Sequence, residues 1–388
     1  MTSDQTPLRV CYFGTYRAEY SRNQIMIEGL RRAGVEVIEC HATLWHGIED
    51  RVQTASGGWL RPAFWRRVLQ TYGQLLKRYR QVGTYDILIV GYPGQYDVFL
   101  AHLLARLRRR PLVWDVLNSM YLITMERGIA DRHPTTAKII RFLEKLACRQ
   151  ADVMILDCQA FVDWFSETHG AARERFRLVP IGADDTVFRL AMETTSTLTC
   201  SAQGAKDFKV LYYGSYIPNH GVPVIIEAAR RLKAHPEIRF ELVGSGPERK
   251  RAQSLAQGLP NVTFTDWLEK PELAARIAEC DVCLGTFGAT QQALVTNNNK
   301  IYEGFAIKKP VISGASPAMP EALKHSEHLY LCERGNPQAL AEAIQTLRND
   351  PVLCKRLGEK GYRIFHEQFD VAHIGEVFAA RLRELVSR

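Results

Sequence analysis

The 388-residue chain lacks any run of about 18 apolar residues, so no membrane-spanning helix is predicted. Residues 1–8 are polar and lack the apolar stretch of a secretory leader. Nine cysteines are present without a framework spacing: Cys11, Cys40, Cys148, Cys158, Cys200, Cys332 and Cys354 are scattered. Cys280 and Cys283 alone have the spacing of a redox or zinc pair. They sit where a helix end runs into an apolar strand, and no second pair or histidine follows at zinc spacing, so the reading is structural burial. A scattered, reduced set of thiols fits a cytoplasmic protein. Acidic residues are missing altogether from 51–85, where Arg51, Arg61, Arg66, Arg67, Lys77, Arg78 and Arg80 alternate with Trp59, Leu60, Phe64, Trp65, Val68, Leu69, Tyr72, Leu75, Leu76 and Tyr79. One reading is a helix with a core face and a solvated basic face. Another is a surface that lies on an anionic membrane or meets a phosphorylated lipid, with Arg66 and Arg67 as lipid contacts and the protein peripheral on the inner face of the cell membrane. Nucleic acid is the least favoured partner, because the basic stretch is local and no recognition module accompanies it.

What is present is globular: 46% hydrophobic residues, 24% charged, and a net charge of +8. The length exceeds what one core usually serves, so two domains are expected. Short apolar runs ending at glycine alternate with helical patterns. In the first half, runs at 9–14, 35–40, 85–91, 111–114, 153–156 and 177–181 read as strands, and Ile25, Met26, Ile27, Leu30 and Ala33 keep a helical rhythm. The polar, threonine-rich stretch 191–206 breaks the alternation and reads as a linker. The pattern restarts with strands at 208–214, 239–243, 262–264, 282–284 and 310–312, and an amphipathic helix at 371–386 closes the chain. The expectation is α/β with two doubly wound, Rossmann-like domains, 1–190 and 207–365, facing a central cleft, and a last helix within 366–388 packing back on the first domain. Ligands of such sheets bind at the carboxyl ends of the strands, which points to Gly14, Gly214, Gly244 and Gly246.

The richest segment is Asn297-Asn298-Asn299-Lys300-Ile301-Tyr302-Glu303, a polar loop entering a short helix. A helix start offers amide groups and positive dipole to an anion. Lys300 adds a charge in the first turn, and Glu303, one turn on, can accept from vicinal hydroxyls. That pairing suits a diphosphate joined to a ribose; an ordinary capped surface helix is the alternative.

The chain resembles the family-4 retaining glycosyltransferases of GT-B fold. The residues that carry the likeness are Tyr213-Gly214-Ser215-Tyr216-Ile217-Pro218-Asn219-His220-Gly221, Leu242-Val243-Gly244-Ser245-Gly246-Pro247, Cys280-Asp281-Val282, Asn299-Lys300-Ile301-Tyr302-Glu303 and Lys309-Pro310-Val311. Tyr12-Phe13-Gly14-Thr15-Tyr16, Ser21-Arg22-Asn23 and Val179-Pro180-Ile181-Gly182-Ala183-Asp184 add to it from the first half. The resemblance implies a nucleoside-diphosphate-sugar donor seated in the second domain and a glycan or lipid-linked acceptor at the first. Glu303 matches the second Glu of the family's paired-Glu motif, the ribose-holding one; the first falls on Val295, so the stretch 296–299 has to serve the sugar. The diphosphate-clamping positions fall on Ser215 and His220, which shifts charge duty to Lys300 and backbone amides. Trp267 and Leu268 follow the strand that meets the nucleobase, where Trp267 stacks or belongs to the core. Asp115 stands where the family often has a catalytic His, either to orient a sugar hydroxyl or as a helix cap, with Asn118 nearby. Gly14 lets backbone approach the donor, and Arg22 holds an acceptor phosphate or lies on the surface.

By that resemblance the catalytic candidates are Asp115, His220 and Lys300. The donor set is Gly14, Ser215, Gly244, Trp267, Leu268, Asn298, Asn299, Lys300 and Glu303, and the acceptor set Arg22, Asn118, Arg66 and Arg67. No Asp-any-Asp motif occurs, so neither a metal nor a prosthetic group is expected. The expected reaction is retaining transfer of a hexose in bacterial glycan or glycolipid assembly. Transfer to a small soluble natural product, or a non-catalytic partner subunit, are the alternatives.

Overall fold

The computed structural model describes residues 7–44, 58, 61–189 and 207–386. The expected linker, with Cys200, lies outside the described residues, as do Arg51, Trp59 and Leu60. The chain divides into two compact units, one of Met1–Pro180 with Val371–Arg388 and the other of Ile181–Asp370.

In the first unit, β1 (Arg9–Gly14), β2 (Glu36–His41), β3 (Ile87–Val90), β4 (Leu112–Asp115), β5 (Val153–Leu156) and β6 (Phe176–Leu178) form a six-stranded sheet in the order β2-β1-β3-β4-β5-β6. All neighbours are parallel. β3, β4 and β5 are buried at every position, as strands covered by helices on both faces must be. Right-handed crossovers running the same way put helices Pro62–Tyr79, Asp97–Arg108, Pro134–Gln150 and Gln159–His169 on one face. Helix Ser21–Arg32 covers the other, together with the last helix, Val371–Val386, whose Ile374, Phe378 and Leu382 share a core with Ile25, Met26 and Leu30. The two cross at bare backbone: a β-carbon on Gly375 would lie 1.9 Å from the Gly29 carbonyl oxygen. The sequence expectation of a terminal helix returning to the first domain holds.

The second unit repeats the plan. β7 (Phe208–Tyr213), β8 (Ile238–Val243), β9 (Val262–Thr265), β10 (Val282–Leu284), β11 (Val311–Gly314) and β12 (Tyr330–Cys332) are ordered β12-β11-β10-β7-β8-β9. Its core joins Ile225, Ile226 and Ala229 of helix Val222–Arg231 to Leu340, Ile344 and Leu347 of helix Pro337–Asn349. In each sheet the direction of winding reverses beside the first strand, between β1 and β3 and between β7 and β10. Gly14 and Gly214 stand at those reversal points, where open α/β sheets bind ligands. Among the described residues no helix is long and apolar enough to cross a membrane. Cys280 and Cys283 are buried thiols with sulfurs 3.5 Å apart, the structural role expected.

Candidate functional site

Three segments of the second unit meet at the end of β7. The chain leaves the strand through Gly214, whose φ of +125° excludes most side chains. A β-carbon there would sit 2.9 Å from Cε and 3.0 Å from Nζ of Lys300, and 3.8 Å from Cε1 of His220. Gly214 therefore leaves the room in which the ammonium and the imidazole edge converge. Gly244 supports it from β8, packed so tightly that a β-carbon would strike the Gly214 carbonyl.

Lys300 comes from the first turn of helix Asn299–Ala306 and is only 7% exposed. Its Nζ lies 5.6 Å from the Tyr212 ring centroid, and among the described residues it makes no hydrogen bond or close ion pair. Burial lowers its pKa to about 8, while the neighbouring Glu303 carboxylate works in the opposite sense. Glu303 is itself pushed up by burial, against the pull of Lys300, a Tyr213 hydrogen bond and Lys270. Tyr213 also donates to the Lys300 carbonyl at 3.1 Å, which ties β7 to this helix. A buried ammonium with no hydrogen-bonding acceptor is costly unless an anion comes to it.

His220 is set by its Nδ1, 2.6 Å from the Ser215 carbonyl oxygen. A carbonyl only accepts, so that nitrogen carries a proton. Tyr212 donates to the same carbonyl at 2.9 Å, so Ser215 serves through its backbone oxygen. At the helix entrance Asn298 is extended and does not cap the first turn with its side chain. Its Nδ2 instead donates to Thr286 Oγ1 at 3.2 Å, and its buried Oδ1 has no hydrogen-bond partner among the described residues. Thr286 belongs to the loop after β10, which Arg334 holds by donating to the carbonyls of Thr286 and Gly288 at 3.1 Å each and of Ala315 at 2.8 Å. Burial lowers the Arg334 pKa to about 10. Val295, where the resemblance expects a carboxylate, is buried, and Thr296 and Asn297 turn back onto Gln292 and Tyr302. Of the loop 296–299, Asn298 and Asn299 thus remain at the entrance. Trp267, 59% exposed just past β9, is not a core residue, and Leu268 beside it is half-buried.

In the first unit the sequence candidates meet each other. Arg22 and Asp115, 3% and 0% exposed, form a buried ion pair, with Arg22 Nη2 3.1 Å from Oδ1 and Nε 3.1 Å from Oδ2. Arg22 Nη1 donates to the Pro180 carbonyl at 2.8 Å. Arg22 is therefore neither on the surface nor turned outward toward a phosphate. Among the described residues Asp115 caps no helix: Ser119 caps Met120–Glu126, accepting from the Leu122 amide. Gly14 lies against Asp97, a buried carboxylate that accepts from the Thr15 amide and the Tyr72 hydroxyl at 2.7 Å each. Glu144 takes Ser119 Oγ at 2.5 Å and the Met120 amide at 2.8 Å, with His169 Nε2 at 3.2 Å. The Asn118 carbonyl accepts from Gln95 at 2.8 Å. Arg66 is exposed and Arg67 lies over the Phe64 ring, both on helix Pro62–Tyr79. Asp97, Glu144, Arg334 and Lys270 escaped the sequence reading; their one signal is a charged residue at a strand-to-helix turn or in a helix otherwise without acids.

Residues 9–182 match the family described as glycosyl transferase 4-like domain, and residues 207–350 the one described as glycosyl transferases group 1. The alpha-D-kanosaminyltransferase of Streptomyces kanamyceticus is 22% identical over 74% of this chain and 74% of its own. The O-antigen chain mannosyltransferase C of Escherichia coli is 23% identical over 78% and 76%. The chain matches 46%, 41% and 49% of the lengths of three further curated relatives at 26%, 26% and 24% identity, so it spans about half of each. Among solved structures, Anabaena HepE in complex with UDP-glucose superposes with a TM-score of 0.66 at 20% identity, covering 97% of this chain and 100% of that one.

Proposed function

The chain belongs to the family-4-type, group 1 glycosyltransferases of the two-domain α/β GT-B fold, and from that membership we propose that it moves a hexose from a nucleoside-diphosphate sugar to a hydroxyl acceptor, with retention, in bacterial glycan or glycolipid assembly at the inner face of the membrane. The observation that carries the donor reading is Lys300, a buried ammonium without a hydrogen-bonding acceptor among the described residues, beside Gly214 and His220 at the reversal point of the second sheet. A diphosphate supplies the missing anion, and Glu303, one turn on, accepts from the ribose hydroxyls. As the bond between the sugar's anomeric carbon and the β-phosphate oxygen breaks, charge grows on that phosphate, and a preorganised cation and helix-start amides stabilise it. The acceptor oxygen bonds to the anomeric carbon on the same face, and its proton passes to the β-phosphate. No divalent ion and no protein nucleophile enter this scheme. The UDP-glucose of the HepE complex and the O-antigen relative support the donor and product classes, and 51–85 the membrane location.

Glu303→Ala tests the assignment. It is expected to abolish donor turnover, read as nucleoside diphosphate released with and without acceptor, while the melting transition stays cooperative. Donor hydrolysis at the parent rate sinks the proposal.

A further inference from the structure

Three neighbouring helices of the first unit share an outer surface with one sign of charge. Helix Pro62–Tyr79 contains no acidic residue. The single acids of Asp97–Arg108 and Pro134–Gln150 are Asp97 and Glu144, both buried and engaged with the Gly14–Thr15 and Ser119–Tyr121 turns. The charged side chains that these helices expose are all cations, among them Arg66, Lys77, Arg106, Lys138, Lys145 and Arg149. Large apolar side chains stand among the cations at helical spacing. Trp65 and Leu69 are 51% and 72% exposed, Leu103 and Leu107 are 56% and 73%, and Phe142 is 60%. Lys138, Phe142, Lys145 and Arg149 follow one line along their helix.

The helices form one layer. The Arg108 guanidinium lies 4.6 Å from the Tyr79 ring centroid and the Tyr72 hydroxyl donates to Asp97 at 2.7 Å, joining the first helix to the second. His102 Nδ1, 2.9 Å from the Gln150 carbonyl oxygen, joins the second to the third.

We propose that this three-helix layer is the seat of the protein on an anionic lipid bilayer. Headgroup phosphates meet the cations, and the acyl boundary takes up Leu69, Leu107 and Phe142. The aliphatic side chains decide the occupant. A nucleic acid rewards cations and rings that stack on bases but leaves Leu69, Leu103 and Leu107 in water. A lipid boundary rewards both, and exposed apolar side chains gathered on three adjacent helices, Leu69 on the first, Leu103 and Leu107 on the second and Phe142 on the third, are otherwise a solubility cost. The proposal rests on the membrane location proposed above and widens it from 51–85 to helix Pro134–Gln150, which the sequence reading did not single out.

Flotation of the purified full chain with vesicles of phosphatidylcholine alone, or mixed with phosphatidylglycerol, tests it. The parent is expected to float with the mixed vesicles and to be released by salt. Lys138→Glu with Lys145→Glu is expected to weaken partition by roughly tenfold or more. Leu107→Ser with Phe142→Ser is expected to weaken it as well. All four side chains are exposed and outside the donor site, so each variant melts with the parent. If Arg66→Glu with Lys77→Glu abolishes flotation while the Lys138/Lys145 pair leaves it unchanged, the three-helix seat is overturned and the basic segment keeps the membrane role. A parent that ignores mixed vesicles, or binds a single-stranded oligonucleotide more tightly than vesicles, overturns it too. The readout is partition and not transfer, so these outcomes leave the donor-site assignment to its own test.

Discussion

The carboxyl ends of the two sheets are built on the same winding and use charge in opposite ways. In the first unit the charges are answered from within. Arg22 is forked onto Asp115, Asp97 collects the Thr15 amide and the Tyr72 hydroxyl, and Glu144 gathers the start of helix Met120–Glu126. In the second, Lys300 is also buried but among the described residues has no hydrogen-bonding acceptor, and an aromatic ring and a carboxylate one turn away are its neighbours. A buried charge satisfied by its own chain fixes backbone; one left wanting an acceptor keeps a place for a ligand. Topology alone does not distinguish the two ends, whereas the bookkeeping of polar partners does.

The comparison breaks most visibly if the internal pairs are dispensable. Asp115→Ala strands the Arg22 guanidinium among carbonyls and is expected to cost about 3–5 kcal/mol of stability by denaturant unfolding. A variant that unfolds with the parent yet loses transfer moves the pair into the chemistry. Lys300→Met should give the reverse signature: donor turnover down about 10²–10³-fold, with the melting temperature unchanged or raised, because an unanswered ammonium has been deleted. A steep loss of stability would place Lys300 with the structural pairs. The smallest effect is titration. Lys300 has a pKa of about 8 without ligand, and a diphosphate prefers the ammonium. Donor affinity is therefore flat below that pH and weakens by up to about tenfold per pH unit above it, as calorimetry across the range can read. For the ligand-free fold the sign is opposite. The unfolded chain keeps that proton up to the ordinary value of 10.5, so this group's destabilising contribution shrinks as pH rises above about 8. Affinity unchanged well above that pH removes Lys300 from the diphosphate.

Much of the fold was legible because buried parallel strands announce themselves. Ile87-Leu88-Ile89-Val90 is uniformly apolar between Asp86 and Gly91, and Gly14 and Gly214 close their strands. β12 went unread because three residues at a sheet edge, two half-buried and one buried, carry no pattern, and with it went Arg334, two residues on. Lys300 and Glu303 were legible as a pair, since one helical turn fixes their spacing. Arg22 and Asp115 are 93 positions apart, and no local rule shows that each would satisfy the other. The reading that left Trp267 between stacking and core could not be settled by composition; its position past the edge strand β9 leaves it in solvent. Val295 marked a departure from the family pattern, and the structure gives its local form: the side chain is interior, and the turn is held by Thr296 and Asn297.

The crossing of Gly29 and Gly375 has a consequence for how the molecule is made. The first unit is discontinuous: its last helix is supplied by Val371–Val386, after the whole second unit. During synthesis the second unit, an unbroken stretch of chain, can finish while the first still shows bare the apolar face of helix Ser21–Arg32. The half begun earliest is therefore completed last, and a chain cut short near its end forfeits part of its beginning.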